Sequence, residues 1–233
     1  MNPQTEQPRI IFLPGLGADH RLFKHQTAAF PNSVAIDWID PEPNETLEDY
    51  AVRFADSLPK QLEQTTPILV CGLSLGGMMA PYFARHLGAA ACVLLGSIRE
   101  PQEFPKRFYP AWLLIRFCPP LLWVVMFSAQ YVVRFLGFLV GREIIKQFIE
   151  TKTSTLVYHI RMMLTWAYRR RNEKELWNIP TFQVHGTNDP LLPMRRTRPD
   201  VKIKGGRHVL TLTHPEEINT ILREMITQIN TVR

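Results

Sequence analysis

A chain of 233 residues can bury a sizeable core, and 45% apolar with 21% charged residues is the make-up of an ordinary globular protein, which excludes a disordered, collagen-like or repeat architecture. The net charge of +6 is uneven: residues 99–177 carry 13 Lys and Arg against 6 Asp and Glu, and 15 of the 24 aromatic residues. Those cations are scattered among apolar side chains without a nucleic-acid-binding motif, so no nucleic-acid partner is expected.

The chain opens MNPQTEQPRIIFLPG, with no basic leader and apolar core, so no secretory signal is expected. The first apolar run, Ile10–Pro14, has the length of a strand buried on both faces, and so do Val34–Ile39, Ile68–Cys71, Cys92–Leu95, Thr181–Val184 and Val201–Ile203. Between them, Thr46–Leu58, Gly76–Leu87 and Pro215–Val232 show helical spacing. Strands alternating with helices predict an open α/β sheet of about six mostly parallel strands. Cys71, Cys92 and Cys118 lack CxxC spacing and read as buried free thiols, which points to the cytoplasm.

The alternation breaks between Leu95 and Thr181. A parallel crossover needs far fewer residues, so 99–177 is expected to be an inserted helical cap on a core formed by 1–98 and 178–233. Phe117–Val133 is uncharged, but Pro119-Pro120 interrupts it at the short limit for a membrane span. A buried or lipid-facing cap helix is the expectation.

In ILVCGLSLGGMMA (68–80) a strand ends on Ser74 between Gly72 and Gly76 and passes directly into a helix. So sharp a turn leaves no room for side chains two positions either side, and it strains the apex residue while projecting its side chain. A serine hydroxyl becomes a useful nucleophile only beside a base that a third group orients. Asp189, in His185-Gly-Thr-Asn-Asp-Pro after the fifth strand, and His208, in Gly205-Gly-Arg-His after the sixth, fall at the same carboxyl edge. The order Ser, Asp, His suits this kind of elbow.

The set GLSLGG, HGTNDP and GGRH followed by HPEEI, with the early LPGLGADHRLF, resembles the α/β-hydrolase superfamily over residues 9–98 and 178–233. The resemblance implies Ser74 as nucleophile, His208 as general base and then acid, and Asp189 as the group orienting His208. It also implies an oxyanion hole from the backbone N–H groups of Leu16 and Leu75. Pro14 replaces a histidine common in the family, and the family's first hairpin is missing. No cofactor is required.

The other candidates have plainer roles. His185 is structural in the family, His214 caps a helix or faces solvent, and His20 lies at the pocket mouth or, by preference, at the surface with His25. Glu100 and Glu103 are alternative acids that Asp189 displaces. No His/Cys/Asp cluster has metal-ligand spacing, so no metal is expected. Trp112, Trp123, Met126, Met162 and Trp166 are expected to line an apolar pocket beneath the cap. Arg169-Arg170-Arg171 and Arg195-Arg196-Thr197-Arg198 read first as solvated surface, and second as an attraction for anionic substrates or lipid headgroups, giving weak association of the cap with a membrane surface.

The expected activity is cleavage of carboxylic esters or related acyl compounds with an apolar acyl or aromatic group. A thioesterase, a C–C bond hydrolase or a lyase on the same three residues, or a non-catalytic receptor for a small ligand, are the alternatives.

Overall fold

The structure is a computed structural model that describes residues 8–59, 67–136, 142–168 and 179–231. Among the described residues six strands form one sheet: β1 (Arg9–Leu13), β2 (Ser33–Ala35), β3 (Ile68–Leu73), β4 (Ala91–Leu95), β5 (Thr181–Gly186) and β6 (Val201–Ile203). Their order is β2-β1-β3-β4-β5-β6 and every neighbouring pair is parallel. The chain leaves β1 toward one edge and β3 toward the other. The carboxyl ends of β1 and β3 therefore flank a switch point, where ligands of open parallel sheets bind.

Alternating residues of the central strands feed two apolar clusters, one per face. Ile11, Leu13, Ile68, Val70, Cys92 and Leu94 belong to one, and Ile10, Phe12, Leu69, Cys71, Val93 and Leu95 to the other. The first face is covered by α2 (Leu47–Asp56) and α3 (Leu75–His86), the second by α1 (Lys24–Ala29), α8 (Leu210–Thr213) and α9 (Pro215–Thr231). Helix α2 starts where Thr46 Oγ1 accepts a hydrogen bond from the Asp49 amide at 3.1 Å, a side-chain cap that satisfies one orphan donor. It buries Leu47, Tyr50, Ala51 and Phe54.

Strand β2 is shorter than the run Val34–Ile39 suggests. It lies at the sheet edge, and beyond Ala35 only the Ile36 amide still bonds to β1, at Phe12 O. The indole of Trp38 turns instead toward the loop after β1, donating to Gly15 O at 3.2 Å.

Between β4 and β5 the chain forms α4 (Tyr109–Phe117), α5 (Pro119–Leu136), α6 (Arg142–Glu150) and α7 (Thr153–Tyr168). Leu122, Val157, Met162 and Trp166 of these helices share one apolar cluster with the body. Cys71 and Cys92 are buried free thiols, but Cys118 is exposed between α4 and α5, against the expectation of three buried cysteines. The paired prolines that follow it open a new helix and leave the thiol on the outer side of the corner. No described helix is long and apolar enough to cross a membrane.

Candidate active site

Ser74 stands between the last residue of β3 and the first of α3, with φ 53° and ψ −115°. A non-glycine residue there costs roughly 1–3 kcal/mol and persists only when its surroundings impose it. They do: the Ser74 amide donates to Leu95 O at 3.0 Å, and Ser97 Oγ donates to Ser74 O at 2.6 Å. The glycines follow from the same turn. A Cβ at Gly72 would collide with the backbone of Gly76, and one at Gly76 with the carbonyls of Leu13 and Pro14.

His208 reaches this serine from the loop after β6. Its Nε2 lies 2.9 Å from Ser74 Oγ and its Nδ1 2.8 Å from Asp189 Oδ2. A carboxylate only accepts, so Nδ1 carries a proton and Nε2 is left to accept from the hydroxyl. The two loops are joined at the backbone: Asn188 N donates to Gly206 O at 2.9 Å and Thr187 N to Ile203 O at 3.0 Å. This pairing holds the imidazole over the serine.

The Asp189 side chain is fully buried and that of His208 is 13% exposed. Burial pushes the Asp189 carboxyl up, but hydrogen bonds from His185, His208 and the Leu192 amide outweigh it and hold the group well below the usual carboxylate range. Oδ1 also accepts from the Leu191 amide at 2.8 Å. His185 lies beneath the acid, with Nε2 2.6 Å from Leu192 O and 3.3 Å from Asp189 Oδ2. Because a carbonyl cannot donate, Nε2 bears the His185 proton. A histidine read as merely structural therefore anchors the acid and its loop, a link that only the fold reveals.

Leu75 opens α3, so its amide has no acceptor inside the helix. Across the switch point the loop Gly15–Asp19 brings the Leu16 amide to the same edge, and a Cβ on Gly15 would touch Ser74 Cβ at 3.5 Å. Among the described residues neither amide has a hydrogen-bond partner. Buried Gln147 on α6 accepts from the Asp19 amide at 3.1 Å. Gly17, at φ +64°, leaves space that Phe148 and Leu156 fill. Gln147 carries no motif, and nothing in the sequence announced it.

The remaining candidates stand apart from the serine. Exposed His20 binds Asp37 at 2.8 Å, His25 is exposed, and His214 Nδ1 lies 2.9 Å from Thr213 Oγ1. Glu103 accepts from the Arg99 amide and Gln183, while Glu100 is exposed. Arg196 donates to the carbonyls of Gln102 and Glu103, so it is not free surface, unlike exposed Arg195 and Arg198. Arg169, Arg170 and Arg171 lie outside the described residues. Folding does bring Asp19, His20 and Asp37 together, with ligand atoms within 4.8 Å of one another, a grouping that linear spacing did not reveal. Arg21 and His20 already occupy the two carboxylates.

Trp112, Met162 and Trp166 line a cleft of about 560 Å³ with Asn44, Arg116 and Arg161. Neither Ser74 nor His208 borders it. Trp166 Nε1 donates to Tyr82 Oη at 2.8 Å. Met126 packs against the core, and Trp123 is 41% exposed. His159 is fully buried against Trp38 and Tyr50 with neither ring nitrogen hydrogen-bonded. Burial lowers its pKa to about 3, so the ring is neutral.

A model of the alpha/beta hydrolase family matches residues 10–221. No curated protein matches the sequence. Among solved structures, a thermophilic esterase from Thermogutta terrifontis superposes with TM-score 0.66 at 19% identity, covering 96% of this chain and 90% of that one. The enol-lactonase from Burkholderia xenovorans gives 0.66 at 17%, covering 97% and 94%. MenH from S. aureus gives 0.69 at 16%, covering 96% and 94%. At these identities the likeness is one of fold.

Proposed function

This chain belongs to the alpha/beta hydrolase family, and from that premise we propose that it is a serine hydrolase of carboxylic esters or related acyl compounds. The observation that carries the proposal is the chain of two hydrogen bonds from Ser74 Oγ through His208 to Asp189, 2.9 Å and 2.8 Å long. The esterase and lactonase among its structural neighbours favour esters, cyclic ones included.

In the proposed cycle Ser74 Oγ attacks the substrate carbonyl while His208 Nε2 takes its proton. The oxyanion that forms accepts hydrogen bonds from the Leu16 and Leu75 amides, donors fixed before the reaction begins. Asp189 stabilises the resulting imidazolium without taking its proton. Collapse breaks the carbonyl–oxygen bond, His208 protonates the leaving alcohol, and an acyl-Ser74 ester remains. Water, deprotonated by His208, then releases the acid and restores the hydroxyl.

Residues 99–177 act in this reading as a cap over the core of 1–98 and 178–233. The contacts of Phe148 and Leu156 with Gly17 support a cap seated on the oxyanion loop. The apolar preference of the substrate rests on the aromatic richness of this segment.

Labelling with a fluorophosphonate tests the proposal. Native protein is expected to label and Ser74→Ala to remain unlabelled. Folded native protein that resists the probe yet binds a small ligand would instead be a receptor. A chain-length series of chromogenic esters then measures the preferred acyl group.

A further inference from the structure

Between Pro119 and Tyr131, the part of α5 whose side chains are described, the helix buries only a narrow stripe. Leu122 is buried and Met126 packs against the core. One turn on, Gln130 donates to Phe148 O and Thr151 O and accepts from Thr153. Elsewhere between Pro119 and Tyr131 the helix exposes large apolar side chains, among them Val124 at 59%, Phe127 at 56% and Tyr131 at 65%, and Phe117 at the end of α4 is 77% exposed. Apolar surface this continuous marks an interaction site.

The charges around it indicate which partner. From residue 104 to residue 142 the sequence holds five Lys and Arg and no Asp or Glu. Lys106 and Arg116 are exposed, and Arg107, also exposed, is held by the carbonyls of Pro190 and Leu191. A second copy of this face would set cations against cations, whereas an anionic surface complements them. Aromatic and aliphatic side chains flanked by cations suit a helix lying in the plane of a bilayer, its apolar side in the headgroup–acyl boundary. The helix does not cross, because no described helix is long and apolar enough and Gln130 ties one side of it to the protein.

We propose that the outer face of α4 and α5 docks this protein on an anionic lipid bilayer. The docked helix is one layer from the candidate site: Gln130 holds the end of α6, and Gln147 of α6 holds the oxyanion loop. The proposal does not depend on the chemistry assigned to Ser74.

Flotation of the full chain with vesicles of phosphatidylcholine, with and without phosphatidylglycerol, tests it. Binding is expected to the phosphatidylglycerol vesicles and to weaken as salt is raised. Arg116→Gln should lower partitioning about fivefold. The double variant Val124→Glu, Phe127→Glu should lose binding while keeping the Tm of the parent. Bromine atoms on the acyl chains should quench a part of the fluorescence that is lost in Trp123→Phe. Absence of vesicle binding, or equal binding to uncharged vesicles, overturns the proposal. So does a concentration-dependent dimer abolished by the same double variant, which would assign this face to a second copy.

Discussion

Strand β3 and helix α5 are both apolar, yet every residue of β3 is buried while α5 leaves much of its apolar surface in water. In β3 the side chains alternate between two covered faces, so their packing fixes where the strand ends and where Ser74 points. In α5 one stripe seats the helix, and exposed side chains such as Val124 and Phe127 are left to meet a partner. Burial, not residue type, separates a framework from a surface.

The largest effect should fall on the residue that the framework projects. Ser74→Ala is expected to lower turnover by about 10⁴-fold or more with the Tm nearly unchanged, read by ester hydrolysis. An unaffected rate would remove the serine from the chemistry and break the contrast. Gly72→Ala should come next. Its new methyl meets backbone of Gly76, which cannot rotate away, so a loss of about 3 kcal/mol or more is expected, measured by denaturant unfolding.

His159 tests the boundary between the two regions, because it packs from α7 onto Trp38 of the body. Its folded pKa, about 3, lies below the ordinary value near 6.5. Below pH 6.5 the unfolded chain therefore binds a proton that the folded chain refuses. Stability should fall as pH drops from about 6.5 toward 5, with a slope approaching 1.4 kcal/mol per unit. His159→Phe should flatten that slope in urea titrations at a series of pH values. The smallest effect belongs to the exposed helix: Phe127→Ser should change stability by no more than about 0.5 kcal/mol in solution. A large loss of Tm would show that α5 is framework after all.

Much of the fold is written locally. The run Ile68–Cys71 and the two glycines place the elbow, although the strand continues to Leu73 because Gly72 and Leu73 still pair with Leu94 and Leu95. Ser74, Asp189 and His208 each sit in a short strand-end signal, and the parallel sheet gathers such ends at one rim. Pocket residues were harder to read. An aromatic side chain in a helix looks alike whether it packs inward, as Trp166 does, or outward, as Trp123 does.

What the sequence by itself determined is the framework and the identity of the three residues brought into line, because hydrophobic period and glycine placement act over a few positions. Only the tertiary structure decided their supports: His185 under Asp189, Ser97 on the carbonyl of Ser74, and Gln147 on the amide of Asp19, 128 positions away. His185 and Asp189 are four positions apart and meet through the turn after β5, whereas the other two contacts join elements far apart in the chain, where distance is set by how whole layers pack and no local pattern encodes it.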